Sequence, residues 1–137
     1  MEASVAREIP VVAAAIIRDG HVLCAQRRPG AALGGMWEFP GGKIEPGEAP
    51  ADALAREIHE ELSCVIRVDE HVVTTRYEYD FGVVVLSTYV CELLDGSPQA
   101  SEHSSLMWLR PSELDGLEWA PADIPAAQAL AQTIVGL

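Results

Sequence analysis

Three glutamates, Glu57, Glu60 and Glu61, stand at i, i+3 and i+4 in the segment Pro50–Leu62. At about 100° of rotation per helical residue, this spacing gathers them on one flank. Like charges so placed destabilise a helix by roughly 0.2–0.5 kcal/mol per pair, and no lysine is interspersed among them. A divalent cation would relieve the repulsion. Carboxylate oxygens supply part of an octahedral Mg²⁺ shell, with waters and substrate phosphates completing it, and Mn²⁺ takes similar donors. Water polarised by such ions is a nucleophile. The competing reading is a solvated acidic helix face, which an isolated E-x-x-E-E does not exclude.

The element that must carry these side chains is legible. Ala51, Leu54, Ala55, Ile58 and Leu62 recur at helical spacing and form an apolar stripe beside the glutamates, with Pro50 suited to the first turn. Ser63 then falls where the chain leaves the helix in left-handed geometry. Glycine is favoured there, so serine costs about 1 kcal/mol in stability. Upstream runs Gly41-Gly42-Lys43-Ile44-Glu45-Pro46-Gly47-Glu48. Its glycines would let a backbone carbonyl approach a metal, and Arg56 stands beside the cluster as a cationic partner.

Around this helix the pattern is mostly β. Ile9–Ile17 and Val22–Gln26 read as strands joined by an Asp19-Gly20 turn. Residues 28–36, rich in Gly, Pro and Ala, read as a loop. Val65–Asp80 and Gly82–Leu94 read as two long strands, Ser105–Leu109 as a shorter one, and Ile124 to about Ile134 as a closing helix. Hairpins mixed with helical crossings predict an α/β fold with a mixed sheet covered by helices on both faces. One domain spanning residues 1–137 is expected from 137 residues of which 49% are hydrophobic.

Charge narrows the partners. A formal net charge of −12 opposes binding to polymeric nucleic acid, which needs a basic surface, but suits a short polyphosphate bridged by divalent metal. Neither a signal peptide nor a run long enough to span a membrane is apparent, and Cys24, Cys64 and Cys91 lie among apolar neighbours without C-x-x-C spacing. A cytoplasmic protein in a reducing compartment is expected. Whether it is a monomer or a homodimer is left open.

Residues 42–64 match the Nudix box, G-x5-E-x7-R-E-U-x-E-E-x-G-U with U aliphatic: Gly42, Glu48, Arg56, Glu57, Ile58, Glu60 and Glu61 fall in register. Ser63 and Cys64 replace the final glycine and aliphatic residue, and neither removes a proposed ligand. The chain thus resembles Nudix hydrolases, whose fold is an α/β/α sandwich around a mixed central sheet. The resemblance implies Glu57, Glu60 and Glu61 as metal ligands with the Gly41 carbonyl, Arg56 as their orienting partner, and Glu57 as first candidate for general base. Glu48 is the box's first glutamate and would equally suit a helix N-terminus as an anion. Glu102 resembles the remote glutamate that completes the metal site in MutT-type members, as ligand or base. His103 beside it reads as an exposed loop histidine, with a role in proton transfer as the alternative.

The likeness extends over roughly residues 10–130. Ala25-Gln26-Arg27-Arg28, Trp37-Glu38-Phe39-Pro40-Gly41-Gly42-Lys43 and Trp119-Ala120-Pro121-Ala122-Asp123-Ile124-Pro125 look like the MutT-type branch, which converts nucleoside triphosphates to monophosphates and pyrophosphate. It implies Arg27 and Lys43 as triphosphate contacts and Phe39 as core or as a stacking partner for the base. Asp123 stands where 8-oxo-dGTP-cleaving members have asparagine. An ionised aspartate only accepts hydrogen bonds, which favours the amino edge of cytosine, and the A-P-A-D-I-P string resembles CTP pyrophosphohydrolases. CTP, dCTP or 5-substituted dCTP are therefore the expected substrates. 8-oxo-dGTP, to which a protonated Asp123 could donate, a nucleotide sugar or dinucleoside polyphosphate, and a non-catalytic nucleotide sensor are the alternatives. Asp123 is also well placed to cap the helix that follows.

Overall fold

The computed structural model describes residues 7–132. Its first strands, β1 (Glu8–Arg18) and β2 (His21–Arg27), are antiparallel neighbours joined through Asp19 and Gly20. Both turn residues have positive φ, 52° and 75°, as a two-residue hairpin turn that follows the strand twist requires. Two short strands follow the loop, β3 (Trp37–Glu38) against β2 and β4 (Gly41–Lys43) against β1. Helix α1 (Pro50–Leu62) leads into the long hairpin of β5 (Val65–Tyr79) and β6 (Gly82–Asp95). The chain then adds β7 (His103–Leu109) and α2, described from Ile124 to Gln132.

The main path of the sheet runs β3-β2-β1-β6-β5, with β4 on β1 and β7 on β2. Among the described strands β1 and β6 pair in parallel and the other strand pairs are antiparallel, so the sheet is mixed. Period-2 alternation along β1 builds two cores. Val12, Ala14 and Ile16 face α1, whose Ala53, Leu54, Ile58 and Leu62 are buried with Leu23 and Cys91. Ala13 and Ala15 face the opposite side, where Ala126, Ala127 and Leu130 of α2 pack with Trp37, Phe39 and Trp119. The result is an α/β/α sandwich.

Several expectations need adjustment. Ala51 is exposed and Ala53 is buried instead, so the apolar stripe on α1 is rotated from the expected one at its first turn. β7 begins two residues before Ser105, because a bulge at Gln26/Arg27 keeps β2 and β7 paired as far as His103. The expected closing helix reaches beyond Gln132, and its last residues lie outside the described ones. Among the described residues no helix is long and apolar enough to cross a membrane. Cys24, Cys64 and Cys91 are free and buried, and burial pushes the Cys24 and Cys91 thiols up to about 12.

Candidate active site

Arg56, on the exposed flank of α1, organises the glutamates. Its Nε donates to Glu48 Oε2 at 2.8 Å and its Nη2 to Glu48 Oε1 at 3.0 Å, a two-pronged pair. Nη1 reaches Glu57 Oε2 at 3.1 Å and Glu60 Oε1 at 3.3 Å, and Nη2 also donates to the Lys43 carbonyl at 3.2 Å. Hydrogen bonds from Arg56 and from the Glu45 N–H hold the Glu48 carboxyl below the usual carboxylate range. Glu48 therefore sits as the partner of Arg56. The N-cap position of α1 is Ala49, and no side chain caps it.

The two glycines before α1 are explained by close approach, in place of the flexibility inferred from their composition. A Cβ on Gly42 would overlap the Glu57 carboxylate, and one on Gly41 would overlap the backbone of Val12 on β1. Missing side chains at these positions let β4 lie flat on β1 and let Glu57 rest against β4. Glu57 then accepts a hydrogen bond from the protonated Glu61 carboxyl. Burial, with Glu57, Glu102 and Glu38 nearby, pushes Glu61 up to about 9. The fold gathers these carboxylates more closely than they can all ionise.

That crowding is the chemistry a divalent cation answers, since a metal would take the place of the proton held on Glu61. Among the described residues no three His, Cys, Asp or Glu side chains already converge to hold a metal ion; Arg56 pairs with Glu57 and Glu60 instead. An open, partial set fits Mg²⁺, which is commonly held by one or two carboxylates with substrate phosphates and waters.

Two adjoining cavities, of about 190 and 240 Å³, open beside this face. They share Arg27, Glu38 and Gly41. The first is mostly apolar, with Val11, Val84, Leu86, Tyr79 and Phe81 on its walls and Asp123 as an acidic group. The second is charged, lined by Arg27, Arg28, Glu61, Glu102 and His103. At their junction Arg27 Nη1 donates to Glu38 Oε1 at 2.9 Å, and His103 Nε2 pairs with Glu38 Oε2 at 2.8 Å.

Asp123 is only 5% exposed, and its Oδ2 accepts the Phe39 N–H at 3.0 Å. This bond between distant parts of the chain takes the place of the expected helix cap. Burial is the main reason its carboxyl is pushed up to about 8, so near neutral pH it is largely protonated and has a donor as well as an acceptor. Of the two alternatives that the sequence left open, the neutral form is thus favoured over the ionised, accept-only aspartate. Phe39 is 2% exposed and stacks on Trp119 with centroids 4.7 Å apart, placing it in the core although it lines the first cavity.

Of the residues singled out in the sequence, Arg27, Phe39, Gly41 and Asp123 line the first cavity, and Arg27, Gly41, Glu61 and Glu102 the second. Arg56, Glu57, Glu60 and Lys43 line neither, and of these Glu60 and Lys43 are exposed. His103, expected to be exposed, is 7% exposed as the first residue of β7, because pairing opposite Arg27 turns it against Glu38. Glu38, Arg28, Tyr79 and Phe81 were missed. Glu38 had a visible signal, since it lies between the apolar aromatics Trp37 and Phe39 where strand alternation sends it to the other face.

Residues 12–129 match the family model described as NUDIX domain, and the chain belongs to the Nudix family. It is 42% identical to the CTP pyrophosphohydrolase of Escherichia coli, over 88% of this chain and 90% of that protein. It is 33% identical to an 8-oxo-dGTP diphosphatase of Haemophilus influenzae, over 85% of this chain and 88% of that protein. Among solved structures it resembles the MutT Nudix hydrolase of methicillin-resistant Staphylococcus aureus, with a TM-score of 0.77 and 50% identity over 93% of this chain and 98% of that one.

Proposed function

We propose that the protein is a Mg²⁺-dependent nucleoside triphosphate pyrophosphohydrolase, releasing nucleoside monophosphate and pyrophosphate, with CTP, dCTP or 5-substituted dCTP as substrates. The supporting observation is the pair of joined cavities, one apolar and ending at Asp123, the other charged and bordered by the glutamate face. A nucleobase matches the first in chemistry and a polyphosphate the second. The 42% identity to a CTP pyrophosphohydrolase points the same way. Three buried free cysteines agree with a reducing, cytoplasmic setting.

In this reading Glu57, Glu60, Glu61, Glu102 and the Gly41 carbonyl are the groups that would hold the metal. When bound, the metal supplies charge neutralisation at the phosphates and a more acidic water. Arg56 fixes Glu57 and Glu60 through its guanidinium and is itself fixed by Glu48. Arg27 meets the polyphosphate where the cavities join, and Lys43 approaches from solvent. Glu57 or Glu102 accepts the proton of the attacking water. Both lie near Glu61, whose raised affinity for a proton comes first from burial, then from its hydrogen bond with Glu57 and the charges of Glu57, Glu102 and Glu38.

For the base, a neutral Asp123 offers an O–H donor and a carbonyl acceptor, matching the N3 and N4 amino edge of cytosine. Phe39 is occupied with Trp119, so the stacking role passes to Phe81, which lines the cavity, is 53% exposed and lies parallel to Tyr79 at 5.1 Å. A second reading, hydrolysis of 8-oxo-dGTP, draws support from the same neutral Asp123, which can donate to a purine carbonyl, and from the relative of that name. A panel of canonical, oxidised and 5-methylated nucleoside triphosphates with Mg²⁺ and with Mn²⁺ separates the two. The cytidine reading expects the highest kcat/KM for cytidine nucleotides and a change in the dCTP to 8-oxo-dGTP ratio in Asp123→Asn. An unchanged ratio rejects base reading by Asp123.

A further inference from the structure

Residues 96–102 link β6 to β7, pass the C-terminal end of α1 on the way, and present Glu102 to the charged cavity. Both flanks of Glu102 are tied down. On the helix side the Gln99 N–H donates to the Leu62 carbonyl at 3.0 Å, and Ser101 Oγ donates to the Glu61 carbonyl at 2.6 Å. These belong to the last carbonyls of α1, which a helix leaves without internal partners. The helix end thus receives its missing donors from the segment that carries Glu102. Arg28 adds a hydrogen bond from its guanidinium to the Ser101 carbonyl.

On the strand side, the residue after Glu102 is the buried His103. Its Nε2 pairs with Glu38 Oε2 at 2.8 Å, while Glu38 Oε1 takes Arg27 Nη1 at 2.9 Å. A chain of contacts therefore runs from the Glu61 backbone through Ser101, past Glu102, to His103, Glu38 and Arg27. It links the glutamate helix to the arginine shared by both cavities.

We propose that Ser101 and His103 are positioning residues: Ser101 holds Glu102 beside Glu61, and His103 fixes both Glu102 and, through Glu38, the guanidinium of Arg27. Neither touches the reacting atoms. The inference rests on the reading of the glutamate cluster as the metal face. Outer partners of this kind typically set metal affinity by about 10–100-fold.

The test measures Mn²⁺ affinity without nucleotide by titration calorimetry, and binding of inorganic tripolyphosphate, in the intact protein. Ser101→Ala is expected to weaken Mn²⁺ binding by about 10-fold, and Ser101→Thr, which keeps the hydroxyl, to restore it to within roughly twofold. His103→Leu is expected to weaken both Mn²⁺ and tripolyphosphate binding by a similar factor. His103→Gln, whose amide N–H still reaches toward Glu38, should recover most of each. If His103→Leu does not fold, the exposed Ser101 pair decides the matter. Wild-type binding in Ser101→Ala, and in His103→Leu where it folds, with Mn²⁺ binding lost in Glu57→Gln, would overturn the positioning role alone. Wild-type Mn²⁺ binding in Glu57→Gln as well would overturn the metal-face reading and this inference with it.

Discussion

Replacing Asp123 by Asn should change the pH dependence of stability in a defined direction. Asp123 is 95% buried and its carboxyl is pushed up to about 8, chiefly by burial and against the Phe39 N–H bond that favours ionisation. In the unfolded chain an aspartate titrates near ~3.9. Between these values the folded protein holds a proton that the unfolded chain has released. The stabilising contribution is full below the unfolded value and is lost as pH rises toward 8. Each pH unit in that window is worth about 1.4 kcal/mol, hence ~3 kcal/mol between pH 5 and pH 7. Asparagine keeps the size and a carbonyl acceptor for the Phe39 N–H, and does not titrate. Urea unfolding of wild type and Asp123→Asn, both with chelator, should show the stability of the variant rising relative to wild type by that amount from pH 5 to pH 7. Glu61 is also raised and acts with the same sign, but it is common to both proteins and cancels in the difference. A stability difference that stays flat from pH 5 to pH 8 would refute the claim that Asp123 is protonated in the fold.

Gly42→Ala places a methyl in the Glu57 carboxylate; turnover should fall by about 100-fold, as loss of a positioned acid or base does, and Mn²⁺ titration should show weakened binding. Ser63 ends α1 at φ 58°. Ser63→Gly should therefore gain about 1 kcal/mol in urea unfolding with kcat within roughly twofold of wild type, and a loss of turnover without that gain would contradict the assignment. Phe81→Ala should raise KM for dCTP with little change in kcat, by an amount consistent with the ~1–3 kcal/mol of one base–aromatic stack. Steady-state kinetics measure that split.

How much of this was legible depended on whether the signal was local. The i, i+3, i+4 glutamates, the Asp19-Gly20 turn and the left-handed Ser63 are short-range features, and each lies where spacing and backbone chemistry placed it. The α/β/α layering followed from alternating strands with helices, and the alternation along β1 supplies its two cores. What escaped was set by distant pairing. Trp37–Glu38 and Gly41–Lys43 are too short to announce themselves as strands and exist because β2 and β1 offer edges. His103 looked like loop until its register opposite Arg27 turned it inward onto Glu38. The protonation state of Asp123 could not be chosen from the sequence, because its burial arises only when Phe39, Tyr79 and Asp123 come together from separate parts of the chain.

On the proposed function, the glutamate face hydrolyses a nucleoside triphosphate between its α and β phosphates with the help of a divalent metal. Product analysis with dCTP and Mg²⁺, run beside Glu57→Gln, tests it most directly. The expected result is dCMP and pyrophosphate in equal amounts, no product with chelator, and a loss of rate of about 100-fold or more in Glu57→Gln while the protein stays folded. Release of dCDP and phosphate, or a folded Glu57→Gln with undiminished turnover, would contradict it.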